Sequence, residues 1–142
     1  MTEIYFSDSM GSRERLTSID WLKERILNGD DEFWEGATGD CGLSYTQNVV
    51  TVASLGLVGR SASGFMLDHS YSGDNERTHT LCYGEHTGET VEASIGGNPN
   101  LYYREHFVPK EIAWEAIEYF LQTGDRKPDL MWEIAEMPEQ EF

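Results

Sequence analysis

Residues 104–133 read REHFVPKEIAWEAIEYFLQTGDRKPDLMWE, and the change of period along this stretch decides the fold. Phe107-Val108 ends an apolar run, and Pro109 fits the first helical position, where its missing N–H has no partner to lose and its ring presets φ. Ile112, Ala113, Ala116, Ile117, Phe120 and Leu121 then recur at helical spacing as one apolar stripe, with Glu111, Glu115, Glu118 and Gln122 on the other side. Gly124 is a stop signal, and Pro128 cannot continue a helix. Leu130-Met131-Trp132-Glu133 reads as a last strand. A helix with one apolar stripe must bury it, and the partner is the sheet encoded by the middle of the chain.

Working outward, Glu3-Ile4-Tyr5-Phe6 is a short strand followed by a Ser/Gly-rich turn. A first helix is predicted to start after Thr17 or Ser18, supported by Asp20, and to stop at Asn28-Gly29, with Ile19, Leu22, Ile26 and Leu27 on one face. From Gly42 the residues become strand formers: Leu43-Ser44-Tyr45, Val49 to Ala53 and Phe65 to His69, with Ser72 to Asn75 as a turn. Thr78 to Tyr83 is expected to pair with Thr90 to Ile95 across a loop from Gly84 to Glu89. Val91, Ala93 and Ile95 alternate there with Thr90, Glu92 and Ser94. The expectation is an α+β fold: a mostly antiparallel sheet of about five to six strands carrying one N-terminal and one C-terminal helix.

The 142 residues are read as one domain, 1–142, large enough for a core. An apolar fraction of 39% with 12% aromatics argues against disorder. Charge dominates the rest: 26 acidic against 10 basic residues give a formal net charge of −16. Such a chain repels nucleic acid and anionic membrane and attracts cationic partners. Self-repulsion favours a monomer. No run of about 18 apolar residues is present, and Cys41 and Cys82 form no CxxC, so a reduced cytoplasmic protein is expected.

Several chemistries are tested against the residues. Gly56-Leu57-Val58-Gly59 has neither the GxGxxG spacing nor the Lys-Ser/Thr of a phosphate loop. His69, His79, Cys82 and His86 fall close in sequence, but neither HExxH nor a paired CxxC accompanies them, and no metal or cofactor is expected. The His-x-Glu and Pro-Cys-x-x-Cys of zinc deaminases are absent. Ser61, Ser63 and Ser94 lack a nucleophile elbow. No catalytic residue is singled out, so the residues describe a domain that binds rather than an enzyme.

Asn98-Pro99-Asn100-Leu101-Tyr102-Tyr103, Glu105-His106-Phe107-Val108-Pro109 and Gly124 to Glu133, taken in order, resemble the first-numbered Imm family of bacterial immunity proteins. The likeness covers roughly the last 45 residues and extends loosely to the hairpin before them. A second Trp that some members carry two positions after the first is replaced here by Ile134. The resemblance implies an immunity protein that neutralises a cognate toxin, often a nucleic-acid deaminase, by stoichiometric occlusion of its active site. It also implies that Phe107, Pro109, Trp114, Pro128, Trp132 and Glu133 are structural.

The charge agrees with that implication, because a toxin acting on nucleic acid carries a cationic groove. Three patches are candidate contacts for such a toxin: Phe33, Trp34 and Glu35 on one loop, Asp68 and Tyr71 at a strand end, and Glu85, His86 and Glu89 at the hairpin tip. Phe33 and Trp34 read first as two aromatics tucked into the core from an acidic loop, since a single large apolar pair is more often core than contact. Two other readings stand beside this one: an acidic nucleic-acid mimic that regulates a DNA- or RNA-binding protein, and a small metal-dependent enzyme using the His69 to His86 region.

Overall fold

The computed structural model describes residues 1–8, 10–29, 34, 41–60, 64–73, 77–95 and 98–140, with the backbone alone at 59, 60, 94, 95 and 98. Phe33 and Glu35 lie outside these residues.

The chain runs β1 (Thr2–Ser7), β2 (Arg13–Arg15), α1 (Ile19–Asn28), β3 (Cys41–Gln47), β4 (Val50–Arg60), β5 (Gly64–Tyr71), β6 (His79–Cys82), β7 (Thr90–Ile95), β8 (Asn98–Tyr103), α2 (Lys110–Thr123) and β9 (Met131–Ile134). A single 3-10 turn, Arg104–His106, joins β8 to the segment before α2. Seven strands form one antiparallel sheet in the order β2-β1-β3-β4-β5-β6-β9, and β7 and β8 form a separate two-stranded sheet. The α+β expectation holds. The main sheet is larger than expected partly because β2, made of three exposed residues, carries no apolar signal.

Alternation along the strands sends side chains to two different cores. On one face Leu43, Leu55, Leu57, Leu67 and Leu81 pack with Leu22 and Ile26 of α1 and with Ala113, Trp114, Ile117 and Phe120 of α2. On the other face Val58 and Met66, each one step out of phase with those leucines, pack with Ala93, Tyr102 and Phe107. The helices therefore cover one side of the sheet and the β7-β8 ribbon covers part of the other.

The helix ends follow local chemistry. Ser18 caps α1 by accepting a hydrogen bond from the Trp21 N–H at 3.1 Å, and Asp20 lies in its first turn. Pro109 caps α2 one position earlier than expected, with φ −56°. Gly124 ends it in the left-handed conformation at φ +75° and donates to the Phe120 carbonyl at 2.8 Å. A Cβ there would also sit 2.8 Å from Cδ1 of Tyr45, so this glycine serves packing as well as conformation. Among the described residues, no helix is long and apolar enough to cross a membrane.

One expected pairing is corrected. Thr78 to Tyr83 does not pair with Thr90 to Ile95: β6 lies between β5 and β9, with Thr80 opposite Glu133, while β7 pairs with β8, Thr90 opposite Tyr103 and Ile95 opposite Asn98. Alternation identifies a strand without identifying its neighbour. Pro99 is tolerated in β8 because each strand of a two-stranded sheet has a free edge.

Candidate functional site

A cleft of about 610 Å³ opens where the end of the main sheet, the C-terminal end of α1 and the start of α2 meet the loop between β6 and β7. Two backbone hydrogen bonds build its floor: Phe65 and Val108 exchange N–H and carbonyl at 2.8 Å in both directions, pinning the segment before α2 to the start of β5. Gly64, at φ +94°, permits this approach, since a Cβ on it would lie 2.1 Å from the Val108 carbonyl oxygen. Ile26, Trp34, Phe65, Val91 and Phe107 give the cleft an apolar lining.

The charged lining is unequal. Glu85, Glu89, Glu105 and Glu111 face it against Arg104 and Lys110. Both cations have partners within the chain: Lys110 Nζ donates to the Leu27 carbonyl at 2.8 Å, and Arg104 Nε lies 3.8 Å from Glu89 Oε2. Glu105 differs from the other glutamates because its side chain is only 4% exposed. The 3-10 turn holds it there, its carbonyl accepting from the Tyr83 N–H at 2.9 Å. Oε1 pairs with Nδ1 of His86. Oε2 is buried and accepts no hydrogen bond among the described residues. A buried acceptor left in that state costs about 1–3 kcal/mol.

His106, the next residue, turns toward the face of the sheet opposite the helices. Its Nε2 lies 2.7 Å from Oε1 of Glu133 on β9. Cys82 on β6 is on that same face, diagonal to Glu133 in the strand register. Cys82 Sγ, a ring nitrogen of His106 and a Glu133 carboxylate oxygen all lie within 4.8 Å of one another. Burial, reinforced by the Glu133 and Glu105 carboxylates, pushes the Cys82 thiol up to about 12, so it is protonated at neutral pH. The hydrogen bond from His106 holds the Glu133 carboxyl below its ordinary range despite some desolvation.

The structure separates the candidate contacts. Trp34 is 2% exposed, stacks edge-on against Phe6 and Phe65 and donates from Nε1 to the Arg25 carbonyl at 3.0 Å. It is a core residue whose edge reaches the cleft, not an exposed anchor. Asp68 and Tyr71 do not form one patch. Asp68 accepts from Thr80 Oγ1 at 2.6 Å on the Cys82 face, whereas Tyr71 packs on His69 and Arg126 on the helix side, its hydroxyl donating to Asp125 at 2.8 Å. Glu85 and Glu89 line the cleft, and His86 is tied to Glu105, so this third group forms the rim of one site, in a loop rather than at a hairpin tip.

Nor do His69, His79, Cys82 and His86 gather. His69 is buried on the helix side with Nε2 2.8 Å from the Gly124 carbonyl, and His79 lies 2.9 Å from both the Arg77 carbonyl and Arg126. Cys82 and His86 belong to the other face and the cleft rim. Phe107 and Trp114 are buried, Pro109 caps α2, and exposed Pro128 lies in the turn before β9. Trp132 donates from Nε1 to the Lys127 carbonyl at 3.1 Å, and Glu133 holds His106.

Glu105 and His106 were not singled out as site residues from the sequence. The available signal was two ionisable residues inside an otherwise apolar and aromatic run, Leu101-Tyr102-Tyr103 on one side and Phe107-Val108 on the other. No protein-family model matches the chain, and no curated protein matches it.

Proposed function

We propose that this chain is an immunity protein that binds and neutralises a cognate toxin, of the nucleic-acid deaminase class that the motif resemblance implies, by seating a cationic protrusion of the toxin in the Glu105 cleft. The observation that carries the reading is the buried Glu105 carboxylate, with one oxygen on His86 and the other without a partner among the described residues at the wall of an acid-rimmed cleft. Oε2 is closed to solvent, so an arginine or lysine reaches this carboxylate as the exposed His86 side chain moves aside, pairing with it through a charge-assisted hydrogen bond while the apolar floor accepts the methylene stem of either. Glu85 and Glu89 supply the negative rim. The formal charge of −16 adds long-range attraction toward a groove built to hold phosphates. Binding alone accomplishes neutralisation: the toxin's nucleic acid is excluded while the complex lasts. Nothing in this account requires the chain to be an enzyme or to act outside the cytoplasm, and one copy suffices.

The test is co-expression with the toxin domain encoded beside it, with purification through a tag on the toxin and a growth assay. A stable one-to-one complex with rescued growth is expected. Glu105→Gln is expected to weaken the complex by about thirtyfold or more, the range for removing one partner of a buried charge pair. Glu85→Gln, at the exposed rim, tests the same face without threatening the core and is expected to slow association. Failure of the two proteins to associate, with both folded, overturns the proposal.

A further inference from the structure

The groups on the sheet face opposite the helices fit a different ligand from the one proposed for the cleft. A borderline-soft divalent cation such as zinc is bound in tetrahedral sites by thiolate, imidazole and carboxylate, at about 2.3 Å to sulfur, 2.0–2.1 Å to nitrogen and 2.0–2.2 Å to oxygen. Ligand atoms around one ion are then about 3.3–3.8 Å apart. Cys82, His106 and Glu133 bring one sulfur, one ring nitrogen and one carboxylate oxygen within 4.8 Å of one another, close to the spacing that a single ion imposes. We propose that Cys82, His106 and Glu133 form a zinc-class metal site with three protein ligands and a fourth position open to solvent or to a partner.

Three features favour this over an accidental meeting. The ligands come from three elements whose relative placement is fixed. Cys82 and Glu133 are held by the antiparallel register of β6 and β9, and His106 sits in the 3-10 turn, whose backbone is anchored to Tyr83 and whose next residues are anchored to Phe65. Cys82 and His106 are buried, 6% and 2% exposed, whereas the Glu133 side chain is 44% exposed. The site therefore has a buried inner side and one outward opening, as sites with a free coordination position do. The donor set also selects the cation class, because one sulfur, one nitrogen and one oxygen suit zinc or cobalt(II), while magnesium and calcium require oxygen ligands throughout. Without the ion, His106 pairs with Glu133 at 2.7 Å, and the Cys82 thiol donates to the Thr80 carbonyl at 3.5 Å while lying beside the same carboxylate. On binding, the sulfur–metal bond forms as the thiol proton leaves to solvent, and the thiolate and carboxylate charges balance the dication.

The experiment is titration of the metal-free full chain with cobalt(II) and, separately, with zinc, followed by optical absorption and equilibrium competition against a chromophoric chelator. One equivalent of cobalt(II) is expected to produce the intense near-ultraviolet thiolate-to-cobalt charge-transfer band together with tetrahedral visible bands, and one equivalent of zinc to abolish both. Cys82→Ser is expected to lose the charge-transfer band. Glu133→Gln, on a half-exposed residue that does not threaten folding, is expected to keep that band and to lower affinity by more than about a hundredfold, beyond what loss of an outer-shell partner costs. Circular dichroism of each variant establishes that it is folded. Absence of the band in the folded parent, or zinc affinity unchanged in both folded variants, overturns the proposal. Because neither readout involves the toxin, this result is independent of the outcome of the co-expression test.

Discussion

Asn48 and Val49 make the two-residue turn between β3 and β4 at φ +52° and +61°, with Gln47 paired to Val50. Asparagine tolerates that region, but a β-branched side chain does not, and Val49 recovers nothing by packing because it is 95% exposed. Both turn residues have positive φ, as a type I′ hairpin requires, and Asn-Gly is its preferred pair. Val49→Gly is therefore expected to stabilise the chain by about 1 kcal/mol, the left-handed strain of roughly 1–2 kcal/mol less the added entropy of an unfolded glycine. Urea unfolding reads this directly as a higher midpoint at unchanged slope. A lower midpoint would mean that the turn geometry is wrong. At this same scale the site was hardest to read. The apolar run on either side of Glu105 sets it apart in the sequence, but its burial depends on a 3-10 turn that holds it against the loop between β6 and β7, where His86 meets it.

At the scale of elements, legibility followed periodicity. The stripe on α2 was legible because residues four apart share a face whatever they pack against, although Trp114, buried at 7%, lay off the predicted stripe. The neighbour of β6 was not legible, because a four-residue strand buried on both faces carries no mark of which edge β9 will take, and the last strand returns from the far end of the chain to do so. The His106–Glu133 contact ties that returning strand to the 3-10 turn, and so joins two separate parts of the motif that prompted the family resemblance. It also gives the tie a pH dependence. The folded Glu133 carboxyl is held below its ordinary range by His106, so its contribution to stability is present above about pH 4.5, the ordinary value for Glu, and is lost as pH falls through the depressed folded value. Thermal melts of the parent and of Glu133→Gln across that interval are expected to converge as the pH falls, the parent losing more stability than the variant. Parallel curves would show that the contact contributes nothing.

At the scale of the whole molecule the charge outlasts any single contact. Ten basic residues among 26 acidic ones leave a field that acts before a partner touches the surface. In the proposed complex the field and the cleft make separable contributions to binding. Exposed rim charges steer encounter and are screened beyond about 8 Å at physiological ionic strength, so they affect the association rate. The buried Glu105 carboxylate is shielded from salt by the residues around it, so its effect falls on dissociation. For the proposed complex the association rate constant is expected to fall by about tenfold or more between low salt and several times physiological salt, with the dissociation rate constant changing little. Glu105→Gln is expected to do the reverse, raising dissociation and leaving the salt slope as it was. Stopped-flow association and displacement kinetics measure the two separately. A salt-independent association rate would remove the steering role assigned to the net charge, and a Glu105→Gln effect confined to association would mean that this carboxylate is a rim charge rather than the anchor of the interface.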